Sequence, residues 1–435
     1  MLFSRTIYWN KLTLRLWEGV QVKLSRRSFI ATSVGALAVA RGFPAIAQSG
    51  PIRIGCITTL SGAASILGKP QHMGMEIAAK KLNEAGGILG RQVEIVVRDD
   101  QSKPDIAVAA VRELAGDGVN IFAGVLASPV ALAISGIAEE LDAVFLNAAS
   151  HGNNLTHENF RKNYFRVTDY SAMRISAASR LMAEKYPDVT KWGAIIPDAE
   201  IGRSTMSTFQ YGLPKYHKEL NNQEISINDP VVVKFGATDF RNAISTLMSS
   251  DIDGIFIGVG GGDEVGFLQQ AGQLGLSKKI KVYVSSGSDF QVAKALGKRT
   301  PENYWSGHHW YFGAYQDNPV SKALYDQYVA DTGDKFPDGF IGMGHTAITA
   351  IATAAAKAND LSTKALVGAL EGLTFDGVKG KVTLRAEDHQ ALCDVNYVKL
   401  GPDDGEVGWK VSDFYKTDGT DLAGPATPGV AIKFQ

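Results

Sequence analysis

From Ile52 onward, short runs rich in β-branched residues alternate with helical patterns, and few folds other than a parallel sheet flanked by helices accommodate that alternation. Strands are expected at Ile52 to Leu60, Val93 to Val97, Ile121 to Val125, Val144 to Asn147 and Tyr164 to Val167. Between them lie helical patterns at Pro70 to Glu84, Pro104 to Ala115 and Pro129 to Leu141, each opened by a proline. A second run of the same rhythm begins with a helix at Ser171 to Lys185 and continues through strands at Trp192 to Ile196, Val231 to Phe235, Gly254 to Val259 and Lys281 to Ser285. Tyr304 to Phe312 reads as an aromatic strand or an extended crossing, followed by helices at Val320 to Ala330, Ile341 to Ala358 and Thr363 to Leu370. Lys381 to Leu384, Val395 to Leu400 and Trp409 to Val411 are joined too closely for crossover helices and read as a small antiparallel addition. No Pro-rich or low-complexity stretch separates the two runs, so two α/β lobes sharing a hinge and a cleft are expected.

The segment before this rhythm reads as an address. Ser25-Arg26-Arg27-Ser28-Phe29 precedes an apolar run from Ile30 to Ala40 and a small-residue end, Ala45-Ile46-Ala47, the pattern of a twin-arginine signal peptide cleaved before Gln48. The run of about 11 residues is too short for a membrane anchor, which needs roughly 20. Residues 1 to 24 are long for the region ahead of the arginines, so translation is expected to start nearer Val22. Residues 1–47 hold seven Lys/Arg and one acid, leaving 37 basic against 44 acidic residues and a net charge of about −7 in the remaining 388. Such a surface, without a basic stripe, speaks against nucleic acid and anionic membranes as partners. Cys56 and Cys393 lie far apart in apolar settings and read as separate buried thiols.

Ligands of open α/β sheets bind beyond the carboxyl ends of the strands, so the residues there carry the chemistry. After the first strand, Ser61 opens a lip of small residues that runs to Gly68. After the third, Ser128 stands at the N-cap of a helix begun by Pro129, where free N–H groups and a partial positive charge suit a carboxylate. Small residues after the fourth, Ala148, Ala149 and Ser150, leave backbone groups open to a ligand. In the second half Asp198 to Gly202, Gly258 to Glu264 with Gly260, and Ser285 to Asp289 with Ser286 follow strands. The glycine run has no GxGxxG spacing and carries Asp263 and Glu264, which would repel a pyrophosphate, so no nucleotide cofactor is expected. No nucleophile elbow, HExxH or P-loop is present, and catalysis is not expected. His308 and His309 point to opposite faces of an extended segment, so at most one faces any site and no metal is expected there.

Taken in order, Ile54-Gly55 to Ser61-Gly62, Asn83 to Arg91, Asp99-Asp100, Gly124, Ser128, Ala148 to Ser150, and Phe235 with Thr238-Asp239-Phe240 give the chain its family likeness. It resembles the type I solute-binding proteins of ABC transporters, of the leucine/isoleucine/valine-binding family, over Ile52 to about Leu400. The resemblance implies an α/β fold of two lobes, each a mostly parallel sheet flanked by helices, with the ligand cleft at the hinge. After a signal peptide at 1–47, lobe 1 would comprise 48–169 plus 303–360 and lobe 2 would comprise 170–302 plus 361–435. By similarity, Ser128 and Ala148 to Ser150 would hold a ligand carboxylate, and Leu67, Ile201 and Phe340 would form apolar walls. The family's acid for an ammonium falls here at Ser286, so Asp289 or Asp169 would replace it, or the ligand lacks an ammonium. The implied protein is a monomeric periplasmic binder of a branched-chain or other hydrophobic amino acid, delivering it to the transmembrane subunits of an ABC permease. A binder of a non-amino carboxylic acid or amide is the alternative, an exported hydrolase a distant one, and a sensor partner of a receptor kinase a third.

Overall fold

The computed structural model describes residues 50–433, so the expected signal peptide lies outside the described residues. The first sheet is built from β1 (Ile52–Thr58), β2 (Val93–Asp99), β3 (Ile121–Gly124), β4 (Val144–Asn147) and β5 (Tyr164–Arg166), all parallel, in the order β2-β1-β3-β4-β5. Its connections are α1 (Ser65–Glu84), α2 (Pro104–Gly116) and α3 (Ser128–Ala138). Strands β3 and β4 are buried throughout, as sheets covered on both faces require. Strand order reverses between β1 and β3, which brings the lip at Ser61 and the Ser128 loop to one crevice.

The second sheet follows α4 (Ser171–Lys185) and is larger. It uses β6 (Lys191–Pro197), β7 (Ser226–Ile227), β8 (Val231–Val233), β9 (Gly254–Ile257), β10 (Val282–Ser285) and β11 (Tyr304–His308). Two strands from the chain's end, β15 (Val395–Pro402) and β16 (Trp409–Thr417), extend it in antiparallel sense beyond β11. Its order, β16-β15-β11-β10-β9-β6-β7 with β8 also on β6, reverses between β6 and β9, so the loops at Ile201 and Gly260 flank the second crevice. Four helices here carry no expectation from the sequence: α5 (Glu200–Asn221), α6 (Arg241–Ser249), α7 (Gly262–Gln273) and α8 (Gln291–Leu296).

Two placements differ from the expected lobe division. Tyr304–His308, assigned to lobe 1, pairs with β10 in the second sheet. Residues after 361, assigned to lobe 2, begin with α11 (Thr363–Leu370), whose Leu366, Val367 and Leu370 join the first lobe's core. The three-stranded antiparallel sheet β12 (Thr374–Gly377), β13 (Gly380–Leu384) and β14 (Ala391–Leu392) packs there too, through Phe375, Val382 and Ala391. The reason is packing: α9 (Pro319–Thr332) and α10 (Gly339–Ala358) lie in the first core, and α11 and β12 follow α10 at once, so their apolar faces bury against the nearest sheet. Cys56 and Cys393 are free, buried thiols in this same core.

Helices α1 and α10 approach closely because Gly74 and Gly344 lack side chains. A Cβ on Gly74 would stand 1.9 Å from the Ile341 carbonyl oxygen, and one on Gly344 would stand 2.0 Å from that of Gln71. Backbone cannot swing aside, so Gly344→Ala must separate the helices and is expected to cost about 1–3 kcal/mol of stability. Urea unfolding measures this, and an unchanged midpoint would mean that the two helices part without loss.

Candidate functional site

The first lobe's edge of the cleft is held by buried polar pairs. Thr59 Oγ1 donates to Asp100 Oδ1 at 2.6 Å and Leu60 N–H to Asp99 Oδ1 at 2.9 Å, so the paired acids after β2 fix the lip after β1. Ser61 itself is exposed and Leu67 is half-buried. Val125, just past β3, holds φ at 68°, a region β-branched residues rarely enter; Gly124 before it has φ 118° and lies against the Ile57 carbonyl.

Ser128 is the first residue of α3 rather than a side-chain cap: it makes no cap hydrogen bond, and its Oγ accepts from Gly152 N–H at 3.1 Å. Among the described residues no acceptor takes its own proton. The loop after β4 folds around Asn147, whose Oδ1 accepts from Ala149 N–H (3.0 Å) and Ser150 N–H (2.8 Å) while Nδ2 donates to Ser150 O and Tyr164 Oη. The two N–H groups expected to be open to a ligand are therefore engaged within the loop, and Ser150 Oγ donates to Leu126 O at 3.1 Å. Ala148 is buried and continues the ladder to Gly124 O.

On the second lobe, Ile201 lies half-buried in the first turn of α5 and Gly260 is exposed ahead of α7. Gly261 N–H donates to Ser288 Oγ, which donates to Glu264 Oε2 at 2.5 Å, and Tyr304 Oη donates to Glu264 Oε1 at 2.7 Å. Burial pushes the Glu264 carboxyl up to about 7 against these donors. Ser286 is half-buried beside this cluster.

The lobes meet across the cleft. Asn153 Nδ2 donates to Ser204 Oγ at 2.8 Å and Gln291 Nε2 to Ile66 O at 3.2 Å. The Gly261-Gly262 turn faces the lip so closely that a Cβ on either would touch Leu67 or Ala63, at 3.6 and 3.4 Å.

At the hinge, the two acids offered as counter-charges are both occupied. Asp169 accepts from Arg174 Nε (2.7 Å) and Nη2 (3.0 Å) and from Lys379 Nζ (3.2 Å), all three residues buried. Burial opposes its ionisation, but Arg174 and then Lys379 hold its carboxyl well below the usual range. Asp289, at φ 47°, accepts His309 N–H on Oδ1 and faces His309 Nδ1 with Oδ2, both at 2.8 Å. The His309 ring lies between Phe340 and His151, with centroids 3.9 and 4.9 Å away. His308 faces the other way, against Phe290, so the adjacent histidines do point apart. Burial, reinforced by Arg174, holds both His151 and His309 well below the usual imidazole range. Among the described residues no group of three or more metal-binding side chains converges.

The structure thus gathers Leu67 with the Gly260 turn, Ser128 with the Ala148–Ser150 loop, and Phe340 with Asp289 through His309. Arg174, Lys379 and His151 were not singled out for the site by sequence; only His151 had a local signal, its place directly after Ser150.

Residues 51–406 match the family model described as periplasmic binding protein. The leucine-, isoleucine-, valine-, threonine- and alanine-binding protein of Pseudomonas aeruginosa is 26% identical over 336 residues, 76% of this chain and 85% of that one. Leu/Ile/Val-binding relatives from Rhizobium johnstonii, Brucella melitensis and Escherichia coli are 25%, 25% and 26% identical, and the chain spans less than two thirds of each: 60%, 58% and 64%. Among solved structures, the amino acid ABC transporter substrate-binding protein from Pseudomonas fluorescens Pf-5 superposes with a TM-score of 0.76 at 20% identity, over 88% of this chain and 100% of that one. A solute-binding protein from Rhodopseudomonas palustris BisB5, in complex with 3,4-dihydroxy benzoic acid, gives 0.73 at 19% identity, over 85% and 98%. The structural likeness establishes a common two-lobed α/β fold.

Proposed function

The chain belongs to the type I periplasmic binding proteins of the branched-chain amino acid family, and from that premise we propose that it captures a small hydrophobic carboxylic acid between its lobes. In this reading it works outside the cytoplasm as a monomer and hands the solute to the transmembrane subunits of an ABC importer. One observation carries the carboxylate. Ser128 Oγ–H, at the first turn of α3 and almost enclosed, has an uncommitted proton where the helix end favours an anion. Small residues of the Ala148–Ser150 loop, with Leu67, Ile201 and Phe340 as walls, suit a hydrophobic body, and Ser61, Gly260 and Ser286 line the approach. Closure of the Asn153–Ser204 and Leu67–Gly261 contacts would bury the solute and alter the surface a permease meets.

Relatives named for leucine, isoleucine and valine favour an amino acid, whereas one structural neighbour holds 3,4-dihydroxy benzoic acid, a ligand without an ammonium. The engagement of Asp169 by two cations, Arg174 and Lys379, supports the second reading, because an ammonium enclosed without a counter-charge is costly, whereas Asp289 meets only a neutral ring and a backbone N–H of His309 and is the acid an ammonium would need. Ser128→Ala is expected to weaken binding of a carboxylate ligand by about 1.5–3 kcal/mol, roughly 10- to 150-fold, through loss of a charge-assisted hydrogen bond. Isothermal titration measures it, and unchanged affinity would remove Ser128 from the contact. Turnover of the ligand in the same cell would instead favour the hydrolase.

A further inference from the structure

His151 and His309 face each other at the hinge, and each keeps one ring nitrogen unused. The ring centres lie 4.9 Å apart, and Nε2 of both is buried without a hydrogen-bond partner. Both rings stand where a bound solute would pass. Gly152, the residue after His151, donates its N–H to Ser128 Oγ at 3.1 Å, and a Cβ on it would stand 3.1 Å from that oxygen. His309 in turn meets Phe340, at 3.9 Å between ring centres. The pair therefore bridges the span from the proposed carboxylate contact to an apolar wall.

Protonation decides what these nitrogens take. His309 Nδ1 lies 2.8 Å from Asp289 Oδ2, whose other oxygen accepts the His309 backbone N–H. Burial raises the Asp289 carboxyl, while Arg174 and the His309 N–H act against that. Helix α10 also begins against this carboxylate, since a Cβ on Gly339 would stand 2.6 Å from Asp289 Oδ1, and a helix's positive end favours the ionised form. An ionised Asp289 only accepts, so the His309 proton sits on Nδ1 and Nε2 is an acceptor. His151 is kept neutral by burial and Arg174, and its Nε2 accepts likewise once its one proton rests on Nδ1. A carbonyl or carboxylate oxygen has nothing to give these nitrogens. An N–H or O–H group does, and it removes the cost of enclosing an acceptor unpaired.

We propose that Nε2 of His151 and Nε2 of His309 form a donor-reading subsite, which restricts the ligand to carboxylic acids carrying an amine or hydroxyl on the carbon beside the carboxylate. The donor falls there because His151 adjoins the residue bonded to Ser128. The proposal rests on the carboxylate-binding reading above. Its test is calorimetric titration of the wild-type protein with leucine, 2-hydroxy-4-methylpentanoate, 4-methyl-2-oxopentanoate and 4-methylpentanoate. One or both of the first two are expected to bind about tenfold or more tightly than the last two, and which of them leads tells amine from hydroxyl. His151→Phe, which keeps a ring in place and leaves the Asp289–His309 pair intact, is expected to bring that ratio toward one. In nitrogen NMR spectra of the histidine-labelled wild type, the donor-bearing acid should shift both bare ring nitrogens upfield, and the oxo acid should not. If the variant does not fold, these spectra decide. An oxo or unsubstituted acid binding as tightly as the better donor acid, a ratio unchanged in folded His151→Phe, or ring nitrogens that no donor acid moves would overturn the subsite while leaving the carboxylate reading in place. Failure of all four acids to bind overturns the carboxylate reading, and this inference with it.

Discussion

Asp169→Ala is expected to destabilise the protein by about 3–5 kcal/mol in urea unfolding at pH 7, because it strands two buried cations at once. Arg174 and Lys379 both terminate on Asp169 at 2.7–3.2 Å, and all three side chains are at most 2% exposed. Burying a charge is tolerated only while its partner remains, so removing the shared partner costs far more than the pairs themselves contribute. The three groups come from a hinge crossing, the first turn of α4 and the β12–β13 turn, so the loss would also loosen the joint between the lobes. The comparison variant is Asp251→Ala. Its pair with Lys191 is as short, at 2.6 Å, but 47% and 86% exposed, and its loss should cost about 0–1 kcal/mol. Equal costs for the two variants would mean that water reaches Arg174 and Lys379.

Stability is also expected to fall steeply with acid. Burial holds seven histidines below their usual range, three of them, His157, His308 and His345, at about 4. As pH drops from about 6.5 toward 4, the unfolded chain takes up protons that these rings in the folded protein refuse, so stability is lost across that window and is untouched above it. Glu264 works in the opposite sense: with its carboxyl at about 7, the folded state holds a proton that the unfolded chain releases above about 4.5, adding stability as pH falls. Burial also raises the carboxyls of Asp100, Glu200, Asp263, Asp289, Asp338 and Asp394, which act in the same sense as Glu264. The three histidines at about 4 and Glu264 alone give a loss of about 2–3 kcal/mol per pH unit near pH 5, which the four other histidines enlarge and these carboxyls reduce. Urea titrations at pH 7, 6 and 5 measure it, and a flat or rising stability would show that these rings are hydrated in the folded protein.

Most of the fold was legible in the chain because parallel strands buried on both faces are short, nearly continuous apolar runs, as at Ile121–Gly124 and Val144–Asn147, and prolines mark the starts of α2 and α3. What escaped had physical reasons. Helix α5 buries Met206, Phe209 and Leu213 at helical spacing, but Gly202, Gly212 and Pro214 interrupt the pattern, so its apolar stripe reads as broken in the sequence. β11 precedes two helices that belong to the first lobe, and only its ladder to β10 shows which sheet it joins.

At the candidate site, positions were more legible than roles. Residues after strands did gather at the two crevices, because strand-order reversals put them there. Yet Ser128 was read as a cap when its partner is Gly152, and the open N–H groups of Ala149 and Ser150 are closed by Asn147, a strand residue whose side chain turns back on its own loop. The Asp169–Arg174–Lys379 cluster joins residues up to 210 positions apart, and no local pattern can report it.

The central claim, that the lobes close on a hydrophobic carboxylic acid, is tested most directly by isothermal titration of the protein with hydrophobic amino acids, their 2-oxo acids and aromatic acids, each beside its neutral amide. At least one acid is predicted to bind one-to-one and its amide at least tenfold more weakly, about 1.4 kcal/mol or more. An amide binding as tightly as its acid, or saturation only by a solute without a carboxylate, would contradict it.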